Sequence, residues 1–85
     1  MNKISRVGVL GWMDIVYSEL FSDERIARNV YSAKVAEELD RAKESKEGDG
    51  WLYSKNDVDL VELVENEDSR FVYHQTLLSF EGDHS

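Results

Sequence analysis

The sequence predicts an α+β domain in the order ββαββ, a small antiparallel sheet of three to four strands packed on one long helix. Three observations carry this. Residues 23–46 hold apolar side chains at helical spacing between an acidic start and a basic end. Residues 71–80 are rich in β-formers. Gly11 separates two apolar runs of strand length, 4–10 and 15–21. A single helix with a broad apolar face needs three or four strands to cover it.

The N-terminal runs read as a hairpin, with Gly8 interrupting the first strand and Gly11 turning the chain back. Trp12, Met13, Val16, Tyr17, Leu20 and Phe21 also fall on one helical arc, so a helix over 12–21 is the alternative. In the helix of 23–46, Ser22 is the expected cap, with Asp23 and Glu24 in the first turn. Arg41, Lys43 and Lys46 lie at the end, matching the helix dipole at both termini. Ala27, Tyr31, Val35, Leu39 and Ala42 make one apolar stripe, of which Tyr31, Val35 and Leu39 are expected against the sheet. Ile26, Val30 and Ala33 make a second stripe roughly 120° away. Gly48, Asp49 and Gly50 stop the helix.

Within 51–64, Val58, Leu60, Val61, Leu63 and Val64 favour a strand, while Ser54 and Asp57 fit a capping box for a short helix. A strand is preferred, because a hairpin with 71–80 across the polar turn 65–69 then follows directly. Both faces of 71–80 carry apolar residues toward its end, which suits a central or doubly covered strand. The run 4–10, guarded only by Lys3 and Arg6, reads as a possible sheet edge.

Charge is strongly segregated. Residues 1–46 balance eight acids against eight bases, whereas 47–85 set ten acids against Lys55 and Arg70, so the whole formal charge of −8 sits in the second half. Such a field repels nucleic acid and anionic membrane and attracts basic protein surfaces. The helix bases are interleaved with Glu37, Glu38, Asp40 and Glu44 and make no clean positive stripe, so no direct nucleic-acid binding is expected. The 85 residues are expected to form one domain with one modest core, and 41% apolar content is too high for a disordered acidic tail. With no cysteine, no apolar run of membrane-spanning length and no apolar signal block, a cytoplasmic protein is the expectation.

The order ββαββ, the helix start Ser22, Asp23, Glu24, Arg25, Ile26, Ala27 and the acidic C-terminal hairpin together resemble the small accessory proteins encoded by bacteriophages. The resemblance implies a protein that adheres to and blocks a host protein in the host cytoplasm, as inhibitors of restriction, CRISPR or toxin systems do, some of them by imitating DNA.

Little in the chain points to catalysis or to a cofactor. His74 and His84 are the only imidazoles and show no metal-ligand spacing; His74 reads as a structural or surface residue. The glycines match no phosphate loop. The oxygen-bearing residues Asn56, Asp57, Asp59 and Glu62 lack the loop spacing and central glycine of an EF-hand, so no metal site is expected.

Two functions remain. In the first, a protein-binding inhibitor or adaptor docks its acidic half on a basic partner surface through Asp57, Asp59, Glu62, Glu65, Glu67 and Asp68, with Trp51 and Tyr53 as aromatic anchors. Asp57 and Asp59 on one strand would share a face at about 6–7 Å, near the spacing of successive phosphates. The plain alternative is that these acids only keep a small protein soluble. In the second, a structural module self-associates as a homodimer through Ile26, Val30 and Ala33 or through an edge strand.

Overall fold

The computed structural model describes residues 2–11, 13–46 (42–46 by backbone alone) and 55–82. Four strands and one helix follow in the order expected: β1 (Lys3–Leu10), β2 (Ile15–Phe21), α1 (Glu24–Lys46), β3 (Asp57–Glu65) and β4 (Phe71–Phe80). They build one antiparallel sheet, β2-β1-β3-β4, with α1 packed on β1, β3 and β2. The chain over 15–21 is a strand rather than a helix, and 57–65 likewise.

The hairpin order corrects two expectations. β4 lies at an edge of the sheet, not at its centre, and β1 is central rather than an edge. The cause is the crossover: α1 carries the chain from β2 over β1, so β3 pairs with β1 along its whole length, from Lys3 opposite Val64 to Leu10 opposite Asp57. The ladder skips from Leu60–Leu78 to Val61–Thr76, so the bulged Leu77 and its neighbour Leu78 both pack on the core, which explains the apolar residues on both sides of β4 near its end.

Directly opposed residues in a sheet point to the same side, so the register assigns every side chain to a face. One face carries Val7, Val9, Val58 and Leu60, all buried, and meets Ala27 of the helix. Tyr17, Phe21, Val30, Tyr31 and Leu78 close around this cluster. Among the described residues no helix lies over the second face.

The helix starts one residue later than expected. Asp23 is the cap: its Oδ1 accepts from the Arg25 N–H at 2.9 Å, and its carbonyl accepts from Ala27 at 3.1 Å. The apolar stripe also departs from its expected line. Ala27 is buried and Tyr31 and Val35 are half-buried, yet Leu39 is 47% exposed while Glu38 is 3% exposed. Steps of four residues drift about 40° against a 3.6-residue turn, so three such steps rotate away from the core, and the eleventh residue after Ala27 returns to it. The second stripe splits for the same reason, with Val30 packed on the core and Ile26 and Ala33 exposed.

Two glycines are required by close approach. A Cβ on Gly8 would stand 2.7 Å from the Asp59 Oδ1, and one on Gly82 would stand 2.6 Å from the Lys55 carbonyl carbon. The turn after β3 is organised by Asn66, whose Oδ1 accepts from Asp68 N–H at 2.9 Å and Arg70 N–H at 3.0 Å, with Ser69 in the left-handed region at φ 61°. No helix among the described residues is long and apolar enough to cross a membrane.

Candidate protein-binding surface

The acids of β3 do not stand in one displayed row. Asp57 and Asp59 share the uncovered face, as strand alternation requires, but Glu62 is on the helix-covered side. Each is engaged by the fold. Asp57 Oδ1 accepts from the Gly82 N–H at 2.6 Å and so ties the chain after β4 to the start of β3. Asp59 pairs with Arg6 at 3.4 Å on the neighbouring strand, in the space Gly8 leaves open. The Arg6 Nε and Asp59 Oδ1 are buried there with no hydrogen-bond partner among the described residues, so this pair is held by charge and enclosure more than by full hydrogen bonding.

Glu62 is buried at the end of the covered face beside Ser5. The Gln75 amide donates to its Oε2 at 2.8 Å and the His74 Nδ1 to the same oxygen at 2.7 Å, while Lys3 lies 3.8 Å from Oε1. A bulge makes this convergence possible. The ladder skips from Glu62–Gln75 to Leu63–Tyr73, so His74 is left unpaired and turns toward Glu62. His74 therefore has a structural role here.

These donors hold the Glu62 carboxyl below its ordinary value of 4.5, with the Gln75 hydrogen bond the largest cause and His74 next. A carboxyl lowered in the folded state adds stability that is complete above its unfolded value and disappears as pH falls through the folded one. Urea midpoints of wild type and Glu62→Gln should therefore differ most near neutral pH and converge as the solution is acidified below about pH 4. A constant gap across that range would show that the ionised carboxylate contributes nothing.

The remaining acids are freer of such work. Glu65 ends β3 on the uncovered face, and Glu67 and Asp68 are exposed in the turn. Trp51 and Tyr53, expected as anchors, lie outside the described residues, as do Trp12, His84 and the Gly48 to Gly50 stop.

The uncovered face presents a surface that the sequence did not single out. Across the sheet, Leu20, Arg6, Val61 and Thr76 form one row, and Ile4, Leu63 and Tyr73 the next, with Glu65 and Phe71 beyond. Tyr73 is 63% exposed and Leu20 58%. The Tyr73 hydroxyl and Thr76 Oγ1 are 3.0 Å apart, which fixes the ring on this face. The acids Glu65, Glu67 and Asp68 border it. Alternation along the strands contained the signal, but only the position of the helix shows which alternate set is left open.

A shallow groove of about 420 Å³ lies on the other side, between α1 and the edge strand β2, lined by Val9, Val16, Tyr17, Lys34, Glu37 and Arg41 among others. Lys34 Nζ sits 4.2 Å from the centre of the Tyr17 ring and 3.4 Å from Glu37. The Tyr17 hydroxyl donates to Glu19, and this bond, more than burial, pushes the phenol up to about 12. The phenol stays protonated at neutral pH. Among the described residues no group of acids and histidines is placed to hold a metal ion.

No protein-family model, curated protein or solved structure matches the chain.

Proposed function

We propose that this is a small non-catalytic protein-binding module, an inhibitor or adaptor, that docks the uncovered sheet face on a partner carrying basic residues around an apolar patch. The observation that carries the reading is the set Ile4, Leu20, Leu63, Phe71 and Tyr73 on a sheet face over which no helix lies among the described residues, bordered by Glu65, Glu67 and Asp68. Contiguous apolar surface of this kind marks interaction sites on soluble proteins. Tyr73 is the aromatic anchor and the acids supply complementarity to bases. A basic partner is favoured over nucleic acid because, among the described residues, the strands offer this face only Arg6, which is already paired with Asp59.

The acids that test this differ from those first expected. Reversal of Asp57, Asp59 and Glu62 would disturb the fold, since all three are engaged in it, whereas Glu67→Lys with Asp68→Lys changes exposed charge alone. Partner capture from lysate, followed by binding kinetics on the purified pair, is the measurement. The double reversal should slow association severalfold with little change in off-rate, and added salt should weaken wild-type binding. Tyr73→Ser should instead speed dissociation by at least about tenfold. A partner bound with unchanged kinetics by both variants would remove the uncovered face from the function.

A further inference from the structure

The helix sits inward on the sheet. α1 packs mainly on β1 and β3, so its second half leaves a groove of about 420 Å³ over the edge strand β2. The shift between Val9 and Leu10 leaves Val16 without a partner on β1, and Val16 joins Val9 and Tyr17 in the floor. Lys34, Glu37, Glu38 and Arg41, at i, i+3, i+4 and i+7 of one helix face, make the wall, with Asp40 beside them.

The floor is apolar and accepts a cation. Lys34 Nζ rests 4.2 Å from the centre of the Tyr17 ring and 3.4 Å from Glu37. Arg41 pairs with Glu38. The exposed Asp40 then stands at one end without a base among the described residues. Toward the other end the exposed Glu19 meets the neutral Tyr17 hydroxyl. The groove is therefore net negative. α1 runs antiparallel to β2, so Glu19 and Asp40 lie on opposite sides of the Lys34–Tyr17 contact, about 15 Å apart along the groove.

We propose that this groove binds an extended segment of a partner protein, laid alongside β2, that carries two basic residues four apart with an apolar residue midway: basic-x-apolar-x-basic. In an extended chain residues i, i+2 and i+4 share one side and span about 13 Å. Long basic side chains then reach Glu19 and Asp40, while the middle residue lies on Val16 and Tyr17. Alternate residues of β2 turn their N–H and C=O groups outward, which holds the segment in line with the sheet. A second copy of this chain does not fit the pattern, because no two of its lysines and arginines stand four residues apart. The groove is on the helix side of the sheet, so this site stands or falls independently of the function proposed above.

The probe is the synthetic peptide acetyl-Thr-Lys-Thr-Val-Thr-Lys-Thr-amide, titrated into the full chain at low salt and followed by backbone amide resonances. Shifts should concentrate in 15–21 and 34–41, and amide exchange should slow at alternate residues of β2. The same peptide with glutamate for both lysines should bind at least about tenfold more weakly. Glu19→Gln and Asp40→Asn should each weaken the lysine peptide about two- to fivefold, the range for an exposed ion pair. Each loss should vanish when a different one of the two lysines is replaced by norleucine. Glu19→Lys with Asp40→Lys, at unchanged circular dichroism, should weaken binding at least about tenfold. No binding up to ~5 mM, shifts centred on β4, or equal binding by the double reversal would overturn the proposal.

Discussion

Replacing Leu60 with alanine is expected to cost about 2–5 kcal/mol, the range for emptying a fully buried leucine site. Leu60 is 0% exposed in the central strand β3, where Val7 lies opposite it on β1 and Ala27 of the helix packs on the same cluster. The cavity would be enclosed between a hydrogen-bonded sheet and a helix, neither of which moves easily to fill it. A small domain has only about 5–15 kcal/mol of stability in total, so this one change should bring the protein near to unfolding at moderate urea. Equilibrium urea unfolding at an unchanged slope is the measurement. A loss below about 0.5 kcal/mol would place Leu60 outside the core.

Glu38→Ala should destabilise the protein by about 1–3 kcal/mol, the cost of leaving a buried donor without its acceptor. Glu38 Oε1 accepts from the Asn56 N–H at 2.7 Å, and its second oxygen pairs with Arg41. That hydrogen bond joins the second half of α1 to the residue just before β3. Leu39→Ala, at the next position, should cost less than about 1 kcal/mol because the side chain is already half in water. The pair of variants inverts the intuition that the leucine is core and the glutamate is surface. Unfolding curves for the two, measured side by side, check the helix phase directly: a larger loss from Leu39→Ala would mean the helix is rotated from the position described.

These two residues also show how far the sequence could be read. The hairpin bounds followed from local chemistry. Gly11, the polar turn after Glu65 and the β-branched runs on either side all act within a few residues, and β1, β2 and β4 lie where those signals put them. The helix was legible from its acidic start and basic end, which are local to it, although its cap is Asp23 rather than the expected Ser22. The four-residue stripe pointed to Leu39 because an apolar residue at that spacing is the usual core signal. The actual face passed through Glu38, whose burial depends on an amide eighteen residues away.

The binding surface follows the same division. Segregated charge and an acidic second half were visible in the chain, and so was the alternation that puts Asp57 and Asp59 together. Which acids remain displayed was not visible. Arg6 claims Asp59 from the neighbouring strand β1, Gly82 claims Asp57, and a bulge delivers His74 to Glu62, each over a separation of twelve residues or more. Secondary structure, turn positions and net charge were thus set by neighbours in the sequence, through backbone propensity and side-chain period. Strand order and the choice of which sheet face is covered were set by the path of one helix over the sheet. That path places β1 and β3 at the centre and leaves one face without a helix among the described residues, which no local signal encodes.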